Sequence, residues 1–174
     1  MTRSVELRRH TDNEGDELSP RGIAHAVEIG RKLDGEYELF VSTGAQRATQ
    51  TAACFLAGMG RRVLGGVVVD EDFRSQAEDR WKEAYRRSGK GDIESFRAAD
   101  PDFVEAESQG FAAAIQKLFG RLSAGGRALV VGHSPMLEAA VYGLSGEAVE
   151  PLSKGAGVIV TQDDGRFVVR PAVT

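Results

Sequence analysis

Several things are scarce in this chain, and each scarcity narrows what it can be. A single cysteine, Cys54, rules out an internal disulfide, and its apolar neighbours Ala53 and Phe55 on a helical pattern mark it as a packing residue rather than a nucleophile. No run approaches the roughly 18 apolar residues that a membrane span needs. Met1 leads directly into Thr2, Arg3 and Ser4 without the apolar stretch of a secretory leader, so a cytoplasmic protein without membrane attachment is expected. There is no excess of basic residues: the formal charge is −4, which argues against a general affinity for nucleic acid. Repeats, low-complexity tracts, Cys/His clusters at metal-ligand spacing and glycine-rich dinucleotide loops are all missing from the sequence.

What remains is ordinary for one globular domain. The chain has 174 residues, with 41% hydrophobic and 28% charged, enough to bury its own core without a linker. Apolar strand-like runs alternate with amphipathic segments. Val5 and Leu7 alternate with Glu6 and Arg8, predicting a first strand with one wetter face. Ser19-Pro20 starts a helix carrying Ile23, Ala26, Val27, Gly30 and Leu33, with His25 off that stripe and on the surface. Leu39-Phe40-Val41 is a short strand, followed by a helix from about Ala45 to Gly58 and a third strand within Val63 to Val69. A helix from about Phe111 to Leu122, a strong strand at Ala128 to Val131, and a helix from Ser134 with Leu137, Ala140, Val141 and Leu144 continue the series. Gly157 to Thr161 and Phe167 to Val169, joined through Asp163-Asp164-Gly165, read as a β-hairpin. The alternation predicts an α/β fold, a three-layer α/β/α sandwich with a mostly parallel central sheet and an antiparallel edge. All of residues 1–174 are read as one domain. A charged and aromatic excursion at about 70–110, with Trp81, Tyr85, Phe96 and Phe103, reads either as a lid that sets specificity or as a solvated helical pair packed by its aromatics.

Only three histidines occur, and two of them, His10 and His133, stand directly after strands. Catalytic crevices of open α/β sheets lie at the carboxyl ends of the strands. Two imidazoles at that level, with Arg9 and Arg47 beside them, suit an anion such as phosphate.

The same residues carry a resemblance. Leu7-Arg8-Arg9-His10 resembles the opening motif of the histidine phosphatase superfamily, the phosphoglycerate mutase-like proteins, in which a strand ends in Arg-His-Gly. The stretch Ser42-Thr43-Gly44-Ala45-Gln46-Arg47-Ala48-Thr49-Gln50-Thr51-Ala52 is similar to the family's small polar turn followed by Arg-Ala-x-Gln-Thr-Ala. Val130-Val131-Gly132-His133-Ser134-Pro135 resembles its later strand ending in Gly-His, and Leu18 to Gly22 sits where a Leu-Thr-x-x-Gly helix start is common. The likeness spans most of the chain outside Asp70 to Gly110.

The resemblance implies a phosphatase that hydrolyses a phosphomonoester or phosphohistidine through a phosphohistidine on His10, with no metal or organic cofactor. Arg9 and Arg47 would clamp the phosphate as planar paired donors, and His133 would donate to a phosphate oxygen. Ser134 would add the backbone N–H groups of a helix start to the same anion. Where the family usually has glycine, this chain has Thr11, which either crowds the site or lends the phosphate a hydroxyl. The family's usual catalytic carboxylate, in Leu-x-Glu, aligns on Phe73-Arg74-Ser75. Glu78, with Asp72 as the alternative, is the substitute acid, although Ser75-Gln76-Ala77-Glu78 also reads as a capping box. Without an acid, phosphoramidates and other easily departing groups would be favoured. The partner would be a small phosphorylated metabolite or a phosphohistidine protein, with monomer and homodimer both open. Two other readings accompany this one: a mutase returning the phosphoryl group to another hydroxyl, and a non-catalytic phosphate-binding or partner-docking domain.

Overall fold

The structure is a computed structural model, and it describes residues 2–173. Its strands and helices follow in the order β1 (Arg3–Arg9), β2 (Asn13–Glu14), β3 (Glu17–Leu18), α1 (Pro20–Lys32), β4 (Leu39–Ser42), α2 (Gln46–Met59), β5 (Val67–Val69), α3 (Glu78–Ser88), α4 (Ile93–Ala99), α5 (Pro101–Arg121), β6 (Arg127–Gly132), α6 (Met136–Ser145), β7 (Gly157–Asp163) and β8 (Arg166–Pro171). Six strands form one sheet in the order β5-β4-β6-β1-β7-β8, parallel from β5 to β1 and antiparallel through β7 and β8. This is the mostly parallel sheet with an antiparallel edge that the alternation predicts. The closing hairpin turns on Asp164 and Gly165, both at positive φ (45° and 78°), the geometry that an Asp-Gly pair adopts readily. The tiny β2–β3 ribbon stands apart from the sheet.

Helices cover both faces. On one face α1 and α2 bring Ala26, Ile29, Ala48, Ala52 and Phe55 against Phe40, Leu129 and Val131. On the other, α5 and α6 bring Ile115, Leu118, Leu137 and Val141 against Val5, Leu7, Val41 and Val130, and α3 and α4 extend that core with Trp81, Ile93 and Phe96. Among the described residues no helix is long and apolar enough to cross a membrane.

Three local expectations change. The side of β1 that carries Glu6 and Arg8 is not wet, since both residues are buried. The Arg8 Nε lies 2.5 Å from Glu6 Oε1, and Tyr37 Oη donates to Glu6 Oε2 at 2.5 Å, so the polar alternation records a buried ion pair rather than a solvent face. Burial first, and then the Glu6 charge, push the Tyr37 hydroxyl well above its usual range. The helix predicted to begin near Phe111 begins ten residues earlier, at Pro101, and runs through Gly110 unbroken. A glycine inside a helix costs only about 1 kcal/mol relative to alanine, and burial of Phe103, Val104, Phe111 and Ile115 on the same helix outweighs that. The third strand shrinks to Val67–Val69, because Gly65 and Gly66 turn the chain before it.

Candidate active site

Register places the histidines together. In the β1–β6 pairing Arg9 lies opposite Gly132, so the next residue of each strand, His10 and His133, leaves the sheet beside the other. Their ring centroids are 5.3 Å apart. Next to β6 runs β4, and the turn after it starts α2 one residue before Arg47. Arg9, His10, Arg47 and His133 therefore line one cavity of about 640 Å³ at the carboxyl ends of the strands. A larger hollow of about 860 Å³ lies at the opposite end, where β4 and β6 begin, and holds neither histidine.

His10 is buried, and its Nδ1 is 2.8 Å from the carbonyl oxygen of Thr11. A carbonyl only accepts, so Nδ1 carries the proton and Nε2 of the neutral ring keeps a free lone pair. Desolvation lowers the His10 pKa to about 4; the Thr11 bond opposes this, while the charges of Arg47, Lys154 and Arg9 add to it. His133 is lowered further, to about 3, by desolvation first and then by Arg47. Arg47 Nη2 donates to His133 Nδ1 at 3.3 Å, which leaves the His133 proton on Nε2, donating to Thr43 Oγ1 at 2.8 Å. Arg47 Nη1 is held by Asp16 at 2.6 Å. Arg9 Nη1 donates to the Leu152 carbonyl at 2.8 Å, while its buried Nε has no hydrogen-bond partner. Burial lowers the Arg9 pKa, opposed by the charge of Glu138.

The other sequence-predicted residues divide. Ser134 and Glu78 line the cavity. Ser134 does not begin the helix, however: α6 starts at Met136, and the Leu137 N–H is already bonded to the His133 carbonyl. The Ser134 hydroxyl points back to Glu138 Oε1 at 2.5 Å. Thr11 is fully buried and does not line the cavity; its hydroxyl donates to the Gly22 carbonyl at 2.8 Å. That contact needs Gly22, where a Cβ would come within 1.9 Å of the Asp12 carbonyl oxygen. Asp72 is exposed, outside the cavity, and paired with Lys117 at 3.2 Å. The capping box does not form: α3 begins at Glu78, and the Ser75 hydroxyl accepts from the Ala77 N–H while donating to Glu107 at 2.5 Å. Glu78 instead lies 3.5 Å from Arg74.

Two contributors escaped the sequence reading. Lys154, which is bonded to Asn13 and lies 3.8 Å from Asp12, adds positive charge near His10. Glu138, buried at 1% exposure, accepts from both Ser134 Oγ and, at 2.8 Å, the Leu152 N–H. Burial raises its pKa, against the bonds from Ser134 and Leu152. On α6 it is one position past the apolar Leu137, and no local pattern distinguishes it from a surface glutamate. Among the described residues no group of three or more His, Cys, Asp or Glu is placed to hold a metal ion.

Known structures share this arrangement of strands and helices. A phosphoserine phosphatase from Entamoeba histolytica in complex with 3-phosphoglyceric acid superposes with a TM-score of 0.77 at 18% identity, over 99% of this chain and 98% of its own. A phosphoglycerate mutase from Bacillus anthracis gives 0.74 at 18% identity, over 98% and 92%. The protein histidine phosphatase SixA complexed with tungstate gives 0.56 at 19% identity, over 96% and 94%. No curated protein matches the chain in sequence. At such identities the superpositions establish the fold alone, and kinship comes from sequence. The family model described as histidine phosphatase superfamily (branch 1) matches residues 2–170, nearly the entire chain, and by that match the protein belongs to the histidine phosphatase superfamily.

Proposed function

We propose that the protein is a phosphatase that hydrolyses a small phosphomonoester through a phosphohistidine on His10. The observation that carries this reading is the 2.8 Å contact between His10 Nδ1 and the Thr11 carbonyl, which leaves the Nε2 lone pair free in a cavity shared with Arg9, Arg47 and His133. A neutral imidazole with a fixed tautomer is what nucleophilic attack on phosphorus requires.

In the reaction, the Nε2 lone pair forms the N–P bond while the bond from phosphorus to the ester oxygen breaks. The departing oxygen takes a proton from solvent, relayed through Glu78, the carboxyl group among the cavity-lining side chains. Water then attacks phosphorus, the N–P bond breaks, and the proton lost by the water returns to Glu78. Arg9 and Arg47 hold the non-bridging oxygens, whose charge must be met throughout. His133 has no donor to spare, since Nε2–H is committed to Thr43 and Nδ1 accepts from Arg47. An arriving dianion competes for the Arg47 donor and its charge favours the imidazolium, so a proton taken from solvent on Nδ1 then lets His133 donate to the same anion.

The size of the cavity and the wall that α3 adds to it support a small ester over a phosphohistidine displayed on another protein. The test is rapid quench with an aryl phosphate. Wild type should release inorganic phosphate and trap acid-labile, alkali-stable phosphate, whereas His10→Ala should lose at least about 10³-fold in kcat/KM and trap none. An unimpaired His10→Ala, or wild-type turnover without an adduct, would overturn the proposal. Phosphoryl transfer to a second hydroxyl in place of release would favour a mutase.

A further inference from the structure

The face of α3 that meets the cavity carries more than the chemistry above uses. Glu78, Trp81, Lys82, Tyr85 and Arg86 all line it, at the i, i+3, i+4, i+7, i+8 spacing of a single helix face. From Glu78 to Arg86 that face extends about 12 Å at the helical rise of about 1.5 Å per residue, well past the reach of one phosphoryl group. Arg9 and Arg47 are the cations assigned to the phosphoryl group above. Lys82 and Arg86 are a further pair of cations on the same cavity, and the carboxylate lining it, Glu78, lies beside Arg74 at 3.5 Å.

The present partners of Lys82 and Arg86 compete weakly. Asp79 (3.3 Å from Lys82) and Glu83 (2.9 Å from Arg86) are exposed residues of the same helix that do not line the cavity, and surface pairs of this kind give way easily to a better-placed anion. Between these cations and the strand ends the wall is apolar, with Trp81, Tyr85, Phe96 and Met136. It is also fixed: Trp81 Nε1 donates to Glu107 at 3.1 Å, and its ring meets Phe96 and Phe103 edge-on at 5.3 and 5.1 Å.

We propose that this face of α3 is a subsite for a second negative charge, so that the substrate is a phosphomonoester with a flat, largely apolar body bearing a carboxylate or comparable anion at its far end. The proposal rests on the phosphatase reading above. It is tested with two esters of matched shape, para-carboxymethylphenyl phosphate and its neutral amide, para-carbamoylmethylphenyl phosphate. Wild type should favour the carboxylate about tenfold in kcat/KM, a preference that shrinks as salt screens it, and the double variant Lys82→Gln/Arg86→Gln should bring the ratio close to one. Equal kcat/KM for the two esters in wild type, or a ratio unchanged in the double variant, overturns the subsite and leaves the phosphatase standing. Turnover of neither ester counts against the phosphatase instead. Titration calorimetry of both esters on the same wild-type protein then decides the subsite: tighter binding of the carboxylate sustains it, and equal or absent binding ends it.

Discussion

The two walls of the cavity are built by opposite means. At the strand ends, His10, His133 and Arg9 emerge from buried strands whose register sets their spacing, and each imidazole has a ring nitrogen fixed by a buried partner. On α3, Lys82 and Arg86 are long exposed side chains held only by neighbours on their own helix. The first wall is rigid and suits a group whose geometry never varies, a tetrahedral phosphoryl. The second can shift its charges by side-chain rotation and suits recognition of what the phosphoryl is attached to.

The comparison breaks most visibly if the rigid wall does not depend on what lies behind it. Glu138 accepts from Leu152 N–H, and the carbonyl of Leu152 in turn accepts from Arg9, so one buried carboxylate steadies both the Arg9 branch and, through Ser134, the turn after His133. Glu138→Ala strands two donors and leaves a desolvated guanidinium without its counter-charge. It should cost about 3 kcal/mol of stability and abolish the protection against urea that inorganic phosphate, held at Arg9, is expected to give the wild type. Glu138→Gln keeps an acceptor oxygen and should cost less. Urea unfolding of both variants, with and without phosphate, checks this, and a Glu138→Ala protein as stable as wild type would contradict it.

A smaller effect tests where the walls meet. Glu78 sits on the helical wall but acts on the bond broken at the strand wall, so its loss should depend on the leaving group. Glu78→Gln should lower kcat/KM about 10²-fold for an alkyl phosphate and only a few-fold for a nitrophenyl phosphate, whose oxygen departs without a proton. Asp72→Asn, remote from the cavity and facing Lys117, should change neither.

The same contrast explains what could be read from the letters. Strand and helix alternation is local, and a histidine directly after an apolar run marks a strand end without any knowledge of packing; hence the sheet, its antiparallel edge and Arg9, His10 and His133 were legible, while Arg47, on a helix, came from the resemblance of its motif. Side-chain direction was not. Thr11 looked like a phosphate neighbour because it follows His10, but its hydroxyl is claimed by Gly22, eleven residues on. Glu6 and Arg8 looked solvent-facing because their mutual neutralisation also involves Tyr37, 31 residues from Glu6. Glu138 carried no signal because Leu152, whose N–H it accepts, lies 14 residues on, beyond a turn. Glu107, which fixes Trp81, comes 26 residues later on another helix. Each of these is a polar group whose partner is distant in sequence.

The mildest test leaves neutral pH untouched and asks whether the strand wall is as dry as its geometry implies. His10 is lowered to about 4 and His133 to about 3, chiefly by desolvation, against an ordinary value of 6.5. Between pH 6.5 and 4 the unfolded chain therefore binds protons at these two positions that the folded chain refuses, so stability must fall as pH drops through that window and recover as it rises. The loss should level off only below the folded values, where both states carry the protons. Replacing His10 by Gln removes one of the two contributions and should flatten the slope of stability against pH in that window, while an NMR titration of the wild-type ring should place its midpoint near 4. A midpoint near 6.5 would mean that water reaches the ring freely, and the strand wall would then be no drier than the exposed helix facing it.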